Sequence, residues 1–353
     1  MRSPIKKISP KIQRRLPGSE LLVQAQINRG NAQTGGSGAN IFASAMISVL
    51  VTLDGAPVSD LGATTGNGTG EITAREVRGI VRDAVFIPLH ENVGFAAAAN
   101  LAIRHALTAG AEHVMLINND ATLLRDCLGE LVHVANTEPR VAAVGAKVLS
   151  LTKRKSLWMA YGELTYGAAL VRLVGRGADD GPEFSMVREV DCVPGCSILI
   201  SSAAIEAVGY LDDEFFAYHE DVDWCTRARE RGLRIMFAPA GRVAHHGGAS
   251  LAKNPLVAHY LLARNTILFA RKHARPGQWM RLGVTIAGSL ARDSVRGWWR
   301  GNTALQRMLC RGYVDGLLRR DVPYEEFGLR RARSTATVAW DQRSRETVGP
   351  EPA

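Results

Sequence analysis

The sequence lacks an apolar run long enough to cross a bilayer. Its longest nearly apolar stretch, 41–53, has 13 residues, short of the roughly 20 that a membrane helix needs. That stretch follows a Gly/Ser/Asn-rich segment well inside the chain, a poor position for a signal peptide, and a buried strand is expected there. Cysteine is scarce: Cys127, Cys192, Cys196, Cys225 and Cys310 make an odd set of 5 in 353 residues. That usage points to packed free thiols in a reducing compartment, not to a disulfide framework. Cys192 and Cys196 have no second pair at zinc-site spacing and lie in an apolar, strand-like run, so they are expected in the core. There is no internal repeat. There is also no Gly-rich phosphate loop of the Walker or dinucleotide type, which Gly66-Asn67-Gly68-Thr69-Gly70 only superficially imitates.

What is present is ordinary globular material, 46% hydrophobic and 22% charged, enough for a sizeable core. This composition excludes wholesale disorder, a collagen and a coiled-coil rod. The length allows one large domain with appendages or two ordinary ones. The net charge of +9 is unevenly placed: residues 1–19 hold 6 Lys/Arg and no acid, 264–345 balance to +11, and the block 20–263 balances to −6. Positive ends around an acidic middle suit anionic lipid or a phosphorylated substrate better than nucleic acid, which is not expected as a partner.

Residues 1–45, basic and then rich in Gly, Asn, Ser and Gln, read as a flexible leader. Ile47 to Leu53 and Phe86 to Leu89 read as buried strands. From Phe95 apolar residues recur at helical steps until Gly110. His113 to Ile117 is a short strand ending in Asn118-Asn119-Asp120; a helix carrying Leu124, Leu128, Leu131 and Ala135 and a strand from Val141 follow. Strands alternating with helices imply an α/β fold with a mainly parallel sheet flanked by helices. Ligands in such folds bind beyond the carboxyl ends of the strands. Lys153 to Arg188 reads as a long irregular lid. Cys196 to Ser201 is a strand, Glu220 opens a helix stopped at Gly232, and Arg234 to Ala238 is a strand ended by Pro239. Residues 256–330 form a basic helical extension, and 331–353 a flexible tail.

Three places hold candidate chemistry. Asp120 is either a helix cap or a ligand for a hard divalent cation that also needs phosphate oxygens. Glu220, Asp221 and Asp223 begin a helix, where acids are favoured by the dipole. Three of them directly after Phe215-Phe216-Ala217-Tyr218 also suggest a general base. His245, beside Gly247 and Gly248, has room to approach a metal or a diphosphate.

These pieces together resemble the large inverting glycosyltransferase family 2 with the nucleotide-diphospho-sugar transferase (GT-A) fold, in its rhamnosyltransferase-like branch. The likeness rests on Glu91-Asn92-Val93-Gly94-Phe95 with Asn100, on Leu116 to Asp120, and on Val208-Gly209-Tyr210-Leu211-Asp212. It continues through Phe215 to Arg227 and His245 to Ser250, and takes in Tyr260 with Arg264-Asn265. It implies a catalytic domain over 46–255. Asp120, with Asn118 before it, is similar to the metal-binding acid, and His245 to a later residue near the metal or diphosphate. Asn92, Gly94, Phe95, Asn100, Asn118 and Asn119 would shape the donor pocket. Asp221, beside Glu220, resembles the base for the acceptor hydroxyl, while Asp223 and Arg264 are candidates for acceptor or phosphate contact.

The implied cofactor is a divalent metal, Mg2+ or Mn2+. The implied partners are a nucleoside-diphosphate sugar and a saccharide or lipid-linked saccharide acceptor. The expected setting is cytoplasmic, at the inner face of the cell membrane, with the helix 279–300 as a peripheral membrane contact. The amino-terminal part departs from the family pattern: the chain between Ile47–Thr52 and Gly66–Glu71 is too short for the usual helix and strand, and no Asp stands in the nucleoside-binding position. A catalytically inactive relative that binds a sugar nucleotide or a partner is therefore the alternative. A nucleotidyltransferase would leave Glu220-Asp221 and His245 unexplained.

Overall fold

The computed structural model describes residues 21–27, 47–52, 85–89, 93–118, 121–124, 126–151, 156–245, 255–300 and 303–327. The first strands are β1 (Leu21–Ile27), β2 (Ile47–Thr52) and β3 (Val85–Leu89), followed by helix α1 (Phe95–Thr108). Next come β4 (His113–Asn118), β5 (Ala121–Leu123), α2 (Cys127–Thr137), β6 (Val141–Ser150), β7 (Leu157–Met159), β8 (Tyr161–Leu164), β9 (Val171–Val174) and β10 (Arg188–Glu189). β11 (Ser197–Ser201), α3 (Ser202–Val208), α4 (Glu220–Glu230) and β12 (Arg234–His245) complete the sheet region. Three helices follow: α5 (Pro255–His273), α6 (Pro276–Arg300) and α7 (Ala304–Leu317).

The main sheet runs β10-β12-β6-β11-β4-β2-β1-β3, with β5 added to β12 and β7 to β6. Neighbouring side chains alternate between its faces, as the pleat requires. Val114 and Leu116 of β4, Ile198 and Ile200 of β11, and Ile235 and Phe237 of β12 join α1 and α4 in one core. Met115, Ile117, Leu199 and Met236 point the other way and pack on Leu128 and Leu131 of α2. Helices thus cover both faces, as expected.

The expectation of a mainly parallel sheet is corrected. The pairs β1/β3 and β6/β12 are parallel, whereas β1/β2, β2/β4, β4/β11 and β11/β6 are antiparallel. These pairings mean that β1, β3, β4, β6 and β12 share one direction, while β2 and β11 are inserted between them in reverse. A crossover helix sets the direction of the strands it joins, but it does not make them neighbours in the sheet.

Three other readings change. Leu21–Ile27 lies in the sheet between β2 and β3, within the stretch read as a leader. Its signal was present, since Leu21, Val23, Ala25 and Ile27 alternate with Leu22, Gln24 and Gln26. Pro239 does not end its strand: β12 continues to His245, and the register slips against β6 between Ala238 and Arg242, a bulge that accommodates the missing N–H. The stretch read as an irregular lid contains β7 and a β8/β9 hairpin, whose Gly162 bridges to Cys192.

All five cysteines are free thiols, and Cys127, Cys192, Cys196 and Cys225 are buried. No helix among the described residues is long and apolar enough to cross a membrane. In the extension, α7 lies directly on α5 because Gly312 and Gly316 face it. A Cβ at Gly312 would come within 2.4 Å of the Tyr260 carbonyl oxygen, and one at Gly316 within 2.8 Å of that of Arg264. The Tyr260 hydroxyl donates to Asp315 Oδ2 at 3.0 Å across this contact.

Candidate active site

The co-directional strands deliver their carboxyl ends to one edge of the sheet. β3 leads to Val93-Gly94, β4 ends at Asn118 and β12 at His245, and β11 begins there because Ser197 pairs with Ile117. Gly94 has φ 85°, which an L side chain adopts only under strain. It sits so close to the loop before α4 that a Cβ would stand 2.5 Å from the Phe216 carbonyl oxygen. The same oxygen accepts from the Ala96 N–H at 3.3 Å. The start of α1 and the aromatic loop are therefore locked together, and glycine is required for that approach.

Asp221 reaches the edge from the first turn of α4. Its Oδ2 accepts from the Gly195 N–H at 2.7 Å, and its Oδ1 from the Val222 N–H at 2.8 Å. Gly195 permits the contact, since a Cβ there would already lie 3.2 Å from Oδ2. One residue on, the Cys196 carbonyl accepts from the Asn118 N–H at 3.3 Å. The acid of α4 and the end of β4 thus bracket consecutive residues of one short segment. Burial raises the Asp221 pKa, and its backbone N–H partners pull it partly back. Glu220 is buried more completely, and its Oε2 has no partner among the described residues. Burial first, then the Asp221 charge, lifts its pKa well above the ordinary carboxylate range.

His245 closes the other side of the edge. It pairs with Ala121 of β5, the residue directly after Asp120 in sequence, and is 4% exposed. Its ring meets Trp158 edge-on at 4.9 Å, and the Arg176 guanidinium stands 5.6 Å from the Trp158 ring centre. The flanks of Asp120, Asn118 and Ala121, therefore adjoin Cys196 and His245. Asn92, Asn119 and Asp120 themselves lie outside the described residues. A hard divalent cation takes several oxygen ligands. Among the described residues no group of three or more His, Cys, Asp or Glu could hold one. The described part of the edge offers Asn118 and His245, and a metal there also needs Asp120.

The family model for glycosyltransferase-like family 2 matches residues 67–254. The chain belongs to that family. Two curated relatives of this family 2 chain are rhamnosyltransferases. It is 34% identical over 109 residues to the N-acetylglucosaminyl-diphospho-decaprenol L-rhamnosyltransferase of Mycobacterium tuberculosis (strain ATCC 25618 / H37Rv), covering 30% of this chain and 34% of that one. It is 24% identical over 200 residues to the dTDP-rhamnosyl transferase RfbF of Shigella flexneri, covering 54% and 64%. The chain thus spans less than two thirds of either relative's length. Among solved structures, the mannosyltransferase PcManGT from Pyrobaculum calidifontis, in complex with GDP-Man and Mn2+, aligns with a TM-score of 0.42 and 16% identity over 73% of this chain and 77% of that one.

Three residues of the family 2 chain expected at ligands prove to be scaffold. Asn100 is 3% exposed and spends its amide on the Leu211 backbone, donating to its carbonyl at 2.8 Å and accepting from its N–H at 3.0 Å. Asp223 is fully buried on the side of α4 facing α5, bound to Arg227 Nε at 2.7 Å and His273 Nε2 at 2.9 Å. Arg264 is neither an exposed helix arginine nor a phosphate contact: at 3% exposure it donates to the carbonyls of Arg320 and Glu214. Phe95, the first residue of α1, packs against the core. Asn265, His273 and Thr266 were not singled out for the site from sequence, and the family motif pointed to Asn265 only as a neighbour of Arg264.

Proposed function

We propose that the chain transfers a sugar, rhamnose first among candidates, from a nucleoside-diphosphate donor to a hydroxyl of a saccharide or lipid-linked saccharide acceptor, with inversion at the anomeric carbon, in cell-wall or surface polysaccharide synthesis. The observation that carries this reading is the fixed carboxylate of Asp221. It is held by Gly195 and Val222 at the edge where β4 ends, in a chain of the glycosyltransferase-like family 2. Asp221 takes the proton of the acceptor hydroxyl as its oxygen bonds to the anomeric carbon and the bond to the diphosphate oxygen breaks. Alignment of donor and acceptor supplies much of the remaining rate. The rhamnosyltransferase relatives support the donor sugar, and the diphospho-decaprenol in the name of one supports a lipid-linked acceptor.

Asp120, together with Asn118 and His245, would hold a divalent cation, Mg2+ or Mn2+. Such a cation would supply neutralisation of charge on the departing diphosphate. A panel of nucleoside-diphosphate sugars scored by nucleoside diphosphate release, with and without chelator, tests both parts. Turnover of deoxythymidine-diphosphate-rhamnose that chelator stops and Mn2+ restores is expected. Full activity in chelator removes the metal, and nucleotide binding without turnover of any donor leaves an inactive relative.

The setting is the cytoplasmic face of the cell membrane. Helix α6 turns Trp279, Leu282 and Ile286 towards Ile267 and Ala270, and leaves Met280 (71% exposed) and Val284 (69%) outward beside the exposed Arg281. An apolar stripe edged by arginine suits the surface of an anionic bilayer. Flotation with anionic but not neutral vesicles is expected, weakened by Met280→Asp with Val284→Asp. No flotation of the intact chain ends the proposal.

A further inference from the structure

The loop that delivers Asp221 is held in a costly shape. Phe216, Tyr218 and His219 all have left-handed backbones, with φ of 61°, 72° and 71°, and none is glycine. Non-glycine residues persist in this region only where their surroundings fix them. The fixing groups are consecutive residues of α5. Arg264 Nη1 donates to the Glu214 carbonyl at 3.1 Å. Asn265 Nδ2 stands 2.8 Å from each of the carbonyls of Phe215, Ala217 and Tyr218. Thr266 Oγ1 lies 3.3 Å from His219 Nε2, and burial lowers that imidazole's pKa to about 4, so it is neutral. Asn265 is fully buried. Its primary amide offers two N–H donors, which an ionised carboxylate of the same size does not. The His219 carbonyl in turn accepts from the Asp223 N–H at 2.8 Å, the first turn of α4. Behind α5 stands α7, seated on it through Gly312 and Gly316.

We infer that Asn265 is a positioning residue for sugar transfer: its amide locks the loop from Phe216 to His219, which sets Asp221 against Gly195. The extension beyond 255 is then part of the working site and not an appendage, since α7 backs the helix that carries the lock. This inference rests on Asp221 as the base.

The test uses the full chain with Asn265→Ala. Hydrogen exchange of the backbone over 214–222 is expected to rise while exchange in 113–118 stays near wild type, and the thermal midpoint falls by a few degrees, the cost of leaving buried carbonyls without their donor. Transfer from deoxythymidine-diphosphate-rhamnose falls roughly 100-fold in kcat, the cost of a base displaced by about 1 Å. The acid limb of its pH profile moves to higher pH, because Asp221 loses the Gly195 N–H bond that helps to pull its pKa down. Unchanged exchange over 214–222, or a wild-type kcat, overturns the inference. If the Ala chain does not fold, Thr266→Val is read the same way, with a fall of about tenfold, one hydrogen bond's worth; an unchanged rate again overturns it. Exchange reports on the loop whatever the chemistry, so wild-type transfer in Asp221→Asn, or none in the native chain, defeats the base reading separately.

Discussion

Asp221→Asn is expected to remove sugar transfer from a chain that still folds, with kcat down by on the order of 10²–10⁴-fold, the contribution of a positioned base. The fold survives because Asp221 meets only backbone donors, Gly195 and Val222. The substituted amide keeps one oxygen for one of them and turns an NH2 towards the other, at a cost of about 1–3 kcal/mol. Nucleoside diphosphate release by the purified variant, beside its melting curve, gives both quantities. A wild-type rate in the folded Asp221→Asn variant excludes the base. The native enzyme supplies an independent check through pH. The base must be ionised, and burial raises the Asp221 pKa, so kcat falls as pH drops through a value above that of a free aspartate.

The largest expected loss of stability comes two residues further on. Asp223→Asn replaces a fully buried carboxylate between Arg227 and His273 and removes the charge that both face, a loss of about 3 kcal/mol or more. The pH dependence has a definite sign. Burial pushes the Asp223 pKa up, but the hydrogen bond from His273 and the charge of Arg227 more than reverse this, and the net shift is downward. Its contribution is therefore present above the ordinary aspartate value and is lost as pH falls through the lower folded value. For His273, burial lowers the pKa but Asp223 and Glu230 outweigh it, and the net shift is upward. That contribution is complete below the ordinary histidine value and is lost as pH rises through the higher folded one. Urea unfolding near pH 6 should thus show a larger penalty than at pH 9. A difference below about 1 kcal/mol at pH 6, within the range of an ordinary substitution, would contradict the buried-pair account.

Much of the fold around the site was legible in the chain's local patterns. Apolar runs and helical steps placed β2, β3, α1, β4, α2, β11, α4 and α5 close to where they form, because each signal is local and strands such as β4 and β11 are buried on both faces. The motif Glu220-Asp221-Val222-Asp223 announced a helix start rich in acid. Residues two apart on a helix are about 200° apart around its axis, so Asp221 and Asp223 could not share a task. Which of them faced the sheet edge was not written locally. It depends on Gly195 lying 26 positions before Asp221, and on His273 lying 50 after Asp223. Arg264 shows the same limit: a lone arginine in a helix looks like a solvated residue until α7 and the loop from Glu214 close over it.

The sequence by itself determined the family, the alternation of the central strands and helices, and the kind of side chains at the strand ends, because these depend on patterns within a few turns of chain. Only the tertiary structure decided that β2 and β11 run against their neighbours, that Asp223, Asn100 and Arg264 serve the scaffold, and that Asn265 grips the loop before α4. Those outcomes depend on which distant carbonyl, amide or carboxylate is within about 3 Å of a buried polar group, and burial leaves such a group little choice but to find one.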